Sequence, residues 1–259
     1  MEPSESSLTQ SDAPSRDRRA LVQSVSRALD ILDLLREAGR PMSPADLAKA
    51  ADLDRTVVYR LLRTLSQRQM VSEGESGFTL GPETVLLGHR YLDALPLRRI
   101  ALPYMIDLQT KFLQDRPWTL ALFIAIGRLG AVVERMWTAA TPLGLVLDQG
   151  ATSPLEVTAA GRGLLAYLDA AEAEAILKEQ YSALRPSLEE IRAANGVALL
   201  HPSTSNGLEA VACVIRRPDG TPVAAIGVGG LDLGAELATD STLATQLRHA
   251  ADAIGRMIY

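Results

Sequence analysis

Apolar residues in the first part of the chain recur at steps of three and four, the spacing that places side chains on one face of a helix. This pattern predicts a first helix over residues 22–38, and Gly39 followed by Pro41 ends it. We expect four of its apolar residues to form one buried face. They are Val25, Leu29, Leu32 and Leu35.

Two shorter amphipathic helices follow and meet at a tight turn. The first begins at Ser43, with Pro44 in its first turn and Asp46 three residues after Ser43, a variant of the capping box. The second follows Asp54, whose side chain is suited to cap a helix start. Its buried face is predicted to consist of Val58, Leu61, Leu62 and Leu65.

The opposite face of this third helix is polar and rich in arginine. A helix that is held by one face and offers arginines and hydroxyl groups on the other fits the DNA major groove. The polar face of an isolated amphipathic helix is more often merely solvated, but this helix follows another across a short turn and has no acid on that face. We therefore predict a DNA-binding helix-turn-helix. Its predicted DNA-binding residues are Ser43, Arg55, Thr56, Tyr59, Arg60 and Arg63.

The segments that follow predict a wing and a linker. Two short strands after the third helix form a hairpin, and Glu73 and Glu75 near its tip make it a poor phosphate binder, so we expect a mainly structural wing. Residues 83–95 predict a helix. A second helical run begins near Leu97, in which Pro103 predicts a kink or the true helix start.

The second half of the chain mixes strand and helix patterns. Residues 119–127 are apolar nearly throughout, which is typical of a central strand covered on both faces. The strongest hairpin signal surrounds Pro218-Asp219-Gly220. We expect an antiparallel sheet with helices on its faces. Strands are predicted over residues 119–127, 130–137, 209–217 and 222–230, and helices over residues 170–181, 187–194 and 241–258.

Composition narrows the class of protein. The single cysteine, Cys213, excludes an intrachain disulfide framework and fits a reducing cytoplasm, while the three scattered histidines predict no zinc site. Cys213 alternates with apolar strand residues, so we expect a buried inert thiol. No apolar run is long enough to span a membrane. Residues 1–19, rich in Ser, Pro and acids, predict a disordered tail without a secretory signal.

Charge is distributed unevenly along the chain. The net charge is −5, but residues 16–71 contain 11 Arg and Lys against 7 Asp and Glu. A basic N-terminal part followed by an acidic remainder is typical of a protein that contacts phosphates at one end. Ordinary scatter of surface charge would also explain this uneven distribution.

Four sequence blocks occur in this order along the chain: R-A-L-D-I-L at 27–32, L-A at 47–48, R-T-V-V-Y-R-L-L-R-T-L at 55–65 and F-T-L-G at 78–81. Together they resemble the IclR family of bacterial transcriptional regulators. The resemblance implies an α+β protein with an N-terminal winged helix-turn-helix domain, a linker helix and a C-terminal GAF-like α/β effector-binding domain with an antiparallel sheet. It also implies homodimers or homotetramers on palindromic operators. We place the tail at residues 1–19 and the three parts at residues 20–82, 83–96 and 97–259.

The start of a helix near residues 158–163 is a candidate effector site. Its free N–H groups favour an anion, and its small residues allow close approach, although tight packing also selects small residues. The resemblance implies that this segment borders the effector pocket, with further walls on the late hairpin. There, glycines and alanine stand where relatives that bind small polar acids carry Cys or Ser, which favours a bulkier, apolar or aromatic ligand. Leu143, Trp118 and Trp137 are either pocket walls or core. The predicted effector-binding residues are Leu143, Ala159, Ala160, Gly161, Ala210, Gly227 and Gly229.

Three functions are weighed on this basis. The favoured one is a cytoplasmic, ligand-responsive regulator of a catabolic operon that binds double-stranded DNA and a small organic acid or aromatic effector, with no cofactor. The second is a small-molecule enzyme whose N-terminal helices are a dimerisation module, for which the sequence offers no triad, metal cluster or phosphate loop. The third is a DNA-binding protein with a purely structural second domain.

Overall fold

The structure is a computed structural model that describes residues 21–202 and 207–258. The described part of the chain divides into two compact units, with the boundary between Tyr91 and Leu92. The predicted tail, residues 1–19, lies outside the described residues. Within the described ranges, no helix combines the length and the apolar character needed to cross a membrane.

The first unit is built from three helices and a two-stranded hairpin, followed by most of a fourth helix. Gly39 ends the first helix in the left-handed conformation at φ 58°, which glycine adopts without strain, and its N–H is bonded to the carbonyl oxygen of Leu35. The predicted helix-turn-helix and wing are confirmed. The elements are α1 (Gln23–Ala38), α2 (Pro44–Ala50), α3 (Arg55–Gln67), β1 (Val71–Gly74), β2 (Gly77–Leu80) and α4 (Glu83–Ala94).

The buried face of α1 differs from the prediction. Ile31 and Leu35 are buried, whereas Val25 and Leu29 are each 55% exposed. Only the second half of α1 packs into the core that α2, α3 and the hairpin form. Among the residues of this unit that the structure describes, none covers the apolar side chains of the first half. The hydrophobic period was correct, but it did not say which partner buries the face.

The second unit is organised around one six-stranded sheet in which every neighbouring pair is antiparallel, as predicted. Its strand order is β5-β4-β3-β8-β7-β6, so β3 and β8 are central. The sequence patterns did not predict the short edge strands β5 and β6. The strands are β3 (Trp118–Ile126), β4 (Leu129–Met136), β5 (Thr152–Pro154), β6 (Val197–Leu200), β7 (Leu208–Arg216) and β8 (Pro222–Leu231).

Helices cover both faces of this sheet. Two of them, α5 and α9, pack on one face and share a core with residues such as Leu122 and Ile226. On the other face α6 and α8 enclose a second core, with Ala225 and Val214 on the sheet side. The helices are α5 (Pro96–Phe112), α6 (Ala159–Tyr167), α7 (Ala170–Leu177), α8 (Tyr181–Ala193) and α9 (Thr242–Arg256).

Two prolines lie inside helices and do not mark helix ends. Pro103 neither starts nor ends α5, which runs through it, because Ala101 and Met105 on either side are fully buried against the core and hold the helix in place. Pro186 likewise lies inside α8, so this helix begins at Tyr181, before the predicted start.

Two helical glycines provide a matched test of this packing. A Cβ at Gly255 in α9 would overlap the backbone oxygen of Arg216 on β7, whereas a Cβ at Gly88 in α4 would meet nothing within 4 Å. We expect Gly255→Ala to destabilise the protein by about 1–3 kcal/mol through overpacking. Gly88→Ala should be neutral or stabilising by up to about 1 kcal/mol. Denaturant unfolding of both variants measures this, and equal stabilities would contradict the close approach of α9 to β7.

Candidate DNA-binding surface and effector cavity

Helix α3 separates its side chains into two faces. Val58, Leu62 and Leu65 are buried and Leu61 is partly buried, as predicted. All five predicted DNA-binding residues on this helix are exposed. They are Arg55, Thr56, Tyr59, Arg60 and Arg63.

Side-chain caps fix the starts of α2 and α3. Asp54 accepts a hydrogen bond from the backbone N–H of Thr56 at 2.7 Å, and this bond holds the pKa of the Asp54 carboxyl below its ordinary value. Ser43 accepts from the N–H of Asp46 at 3.2 Å and donates to its carboxylate at 2.7 Å. Ser43 therefore has a clear role in starting α2, in addition to its predicted contact with DNA. Glu73 lies near the wing tip and is exposed.

A cavity of about 170 Å³ lies between α6, the residue 144–151 segment and the sheet face that α6 covers. Five of the predicted effector-binding residues line it: Ala159, Ala160, Ala210, Gly227 and Gly229. Leu143 and Gly161 are not among the lining residues; Leu143 is 86% exposed, and Gly161 is buried with its N–H bonded to Thr158 Oγ1. The further walls are Thr119, Ala121, Phe123, Gly130, Val132, Gly144, Leu145, Leu147, Ala151, Ser153, Thr158, Leu200, Leu208, Val211, Ala212 and Val228.

Strand register explains why the cavity has this floor. Cross-strand neighbours on β3, β8 and β7 form two successive rows of small residues. At the centre of one row, a Cβ on Gly227 would lie 2.8 Å from Ala212 Cβ and 3.0 Å from the carbonyl oxygen of Val211, too close for a larger side chain. The rows are Thr119–Gly229–Ala210 and Ala121–Gly227–Ala212.

The segment over residues 144–151 closes one side of the cavity and is tied to β4. The Arg135 guanidinium donates to the carbonyl oxygen of Leu147 and pairs with the Asp148 carboxylate at 2.9 Å. Gln149 donates to the carbonyl oxygen of Val133 at 2.8 Å. No sequence signal identified this segment, because its ties to β4 are long-range hydrogen bonds of polar side chains and of the backbone. One of the backbone bonds runs from the Gly150 N–H to the carbonyl oxygen of Val132 at 2.8 Å.

The two tryptophans whose place the sequence left open are now located. Trp118 is buried in the core on the opposite sheet face, and Trp137 is partly exposed with Arg135 stacked 4.8 Å above its ring. Neither is a lining residue of the cavity. Cys213 is buried, and burial raises the pKa of its thiol to about 12. The predicted unreactive thiol therefore agrees with the structure.

Comparison with protein families matches both units. Residues 24–74 match the IclR helix-turn-helix domain, and residues 89–256 match the C-terminal domain of the bacterial transcriptional regulator IclR. The chain belongs to the IclR family. IclR-family members are bacterial transcriptional regulators, so the predicted resemblance and the predicted fold class are confirmed.

The similarity to individual members of the IclR family covers nearly the whole length of this chain. XynR, an HTH-type transcriptional regulator of Escherichia coli, is 28% identical over 251 residues, which are 92% of this chain and 98% of XynR. An IclR-family regulator from Brucella abortus has the same fold, with a TM-score of 0.80 at 19% identity over 96% of this chain and 97% of that one. An IclR homolog from Microbacterium hydrocarbonoxydans, solved with 4-hydroxybenzoate, has a TM-score of 0.71 at 22% identity over 90% and 98% of the two chains.

The arginine face of α3 predicts a sharp effect of one substitution. Arg60→Ala should weaken operator binding by roughly 5- to 150-fold, since an arginine contact with a base or phosphate contributes about 1–3 kcal/mol. Gel-shift titration at one fixed salt concentration measures the change. Arg36→Ala is the control, because Arg36 on α1 is paired with Asp33 at 3.3 Å and with Glu37 at 3.2 Å. Equal affinities of both variants would place the DNA contact elsewhere.

Proposed function

We propose that this protein is a ligand-responsive transcriptional regulator, in which α3 binds the operator and the cavity of the second unit binds the effector. The observation that carries this proposal is the presence, in one IclR-family chain, of an exposed arginine face on a helix-turn-helix and an apolar cavity. Ser43, Arg55 and Thr56 at the helix starts, together with Tyr59 and Arg60, are the DNA contacts we propose, with Arg63 one turn further.

The proposed target is a catabolic operon, and the proposed effector is a small organic acid or an aromatic compound. Among the relatives are two proteins named glycerol operon regulatory protein, from Streptomyces species, and the Pca regulon regulatory protein of Pseudomonas putida. Control of operons and regulons by these proteins supports a similar role here. A protein that binds the bacterial chromosome works in the cytoplasm.

Regulation is the proposed role of the cavity, and not catalysis. A reactive nucleophile needs a group that activates it, but the Cys213 thiol is kept protonated by burial and lies on the sheet face opposite the cavity. The three hydroxyl-bearing side chains in the described lining have no histidine or acid beside them in that lining. They are suited to hydrogen-bonding a ligand.

A homodimer, alone or paired into a homotetramer, is the proposed DNA-binding form. The first unit exposes apolar side chains on two helices: Val25 and Leu29 on α1, and Val85, Leu86 and Tyr91 on α4. An apolar surface of this kind is typical of protein interfaces. Two copies would present two α3 helices to a palindromic operator, whose half-sites lie about one helical turn apart.

Effector binding and operator binding should be thermodynamically coupled. We expect at least one compound in a library of aromatic and aliphatic carbon sources to raise the melting temperature by mass action. The same compound should change operator affinity by about 5- to 150-fold, the usual range of allosteric coupling. Arg60→Ala should keep the thermal shift and weaken DNA binding. A compound that shifts melting but leaves operator affinity unchanged would contradict the regulatory role of the cavity.

The apolar face of α1 predicts a change of assembly state. Replacing Val25 and Leu29 by Glu places like charges opposite each other in a symmetric interface, so we expect the mass in sedimentation velocity to fall by a factor of two. Leu143→Glu is the control, because it makes the same kind of substitution, with one added charge in place of two, at an exposed apolar residue of the second unit. An unchanged mass of the double variant would exclude α1 from the interface.

A further inference from the structure

The cavity in the second unit has an uncharged lining. None of the lining residues named above carries a charge, and most are glycine or hydrocarbon. The hydroxyl groups in the lining belong to Thr119, Ser153 and Thr158. Two of these are already engaged: Thr119 Oγ1 donates to the carbonyl oxygen of Gly229 at 3.2 Å, and Thr158 Oγ1 accepts from the Gly161 N–H at 3.0 Å.

Two arginines lie near the cavity, and each already forms hydrogen bonds with acceptors of the protein. Arg135 bonds the carbonyl oxygen of Leu147 and pairs with the Asp148 carboxylate at 2.9 Å. Arg162, two residues after Ala160, donates from Nε to the carbonyl oxygen of Glu156 at 2.7 Å. Neither guanidinium belongs to the lining. A carboxylate bound here would therefore lack a cationic partner among the described lining residues.

The start of α6 supplies the remaining positive potential. A helix N-terminus carries roughly half an elementary charge, and at this one the Gly161 N–H is already bonded to the cap Thr158. Removing a full negative charge from water is costly unless the charge is paired and hydrogen-bonded. An uncharged polar group loses much less hydration free energy than an ion when it moves from water into the cavity. It can still accept a hydrogen bond from the N–H of Ala159 or Ala160.

The size of the cavity sets the size of its occupant. An engineered apolar protein cavity of about 150 Å³ holds one benzene molecule. The cavity of about 170 Å³ therefore matches one six-membered ring with a short substituent.

We propose that this cavity takes an uncharged single-ring compound, such as an aromatic alcohol or amide, in preference to the corresponding carboxylate. The proposal rests on the proposed function in that it takes the cavity to be the effector site. It selects the aromatic class among the proposed effectors and excludes the ionised acid as the preferred ligand. The apolar floor of Ala121, Gly227 and Ala212 contacts the ring. The hydroxyl groups of the lining and the N–H groups at the start of α6 form hydrogen bonds with its polar substituent, and the N–H groups are the donors.

Matched probes test the role of charge. Calorimetric titration of the full chain at pH 7.5 with benzamide, benzyl alcohol and benzoate compares one ring with and without a charge. We expect benzamide and benzyl alcohol to bind at least tenfold more tightly than benzoate. Benzoate binding as tightly as benzamide, or more tightly, would overturn the proposal. Absence of binding by all three would overturn it as well.

Cavity-filling variants test the location. Ala121→Leu should weaken benzamide binding at least tenfold, whereas Ala125→Leu, the same change at an exposed position of β3, should leave it unchanged. Gly229→Ala is the milder variant should Ala121→Leu fail to fold, because a Cβ there lies 3.5 Å from the carbonyl oxygen of Glu209 and 3.6 Å from Ala210 Cβ, ordinary contact distances. It should weaken binding several-fold. Unchanged benzamide binding in a folded Ala121→Leu or Gly229→Ala variant would place the ligand outside the cavity.

Operator binding separates the two proposals. A gel shift on the same protein samples reports the DNA-binding function independently of the ligand. If the protein binds the operator but prefers benzoate, the proposed preference for an uncharged ligand is wrong. The proposed function as a regulator is then unaffected. If the unmodified protein does not bind the operator, the proposed function is wrong, whatever the calorimetric result.

Discussion

The cavity depends on one packing constraint, the close contact of β3, β8 and β7 at the row where Gly227 lies between Ala121 and Ala212. A Cβ on Gly227 has no room between β8 and β7, so no large side chain can project from the centre of this sheet face. The larger Phe123, which follows Ala121 on the same face of β3, helps to wall the space. One face of the sheet is thus a filled core and the other contains a cavity, although the same strands form both.

This asymmetry has a direct energetic meaning. On the α5 and α9 face, large side chains such as Leu122 and Ile226 fill the space, and their burial stabilises the unit. On the α6 face, small side chains give up part of that stabilisation. An apolar cavity without a partner loses dispersion contacts, which a ligand of the right shape restores. The cost in stability and the capacity to respond to a ligand therefore have the same origin.

The helix-turn-helix divides its surface in the same way, between a face for stability and a face for binding. Val58, Leu62 and Leu65 hold α3 in the core of the first unit, and the Asp54 cap fixes where the helix begins. Because these contacts use only one side of the helix, the arginine side remains exposed. The cap and the apolar stripe were both evident in the sequence, since each depends on residues within a few positions of each other.

The sequence by itself determined the elements whose signals are local: the helix-turn-helix, the wing, the linker helix, the late hairpin and the antiparallel sheet. It also determined the family, because the blocks of the first unit are specific. Tertiary structure decided how much of each predicted apolar face is covered. Val25 and Leu29 are exposed because the core of the first unit ends before them, and α5 passes through Pro103 because its neighbours are buried. Tertiary structure also decided the cavity, where strand register brings Ala121, Gly227 and Ala212, far apart in sequence, into one row.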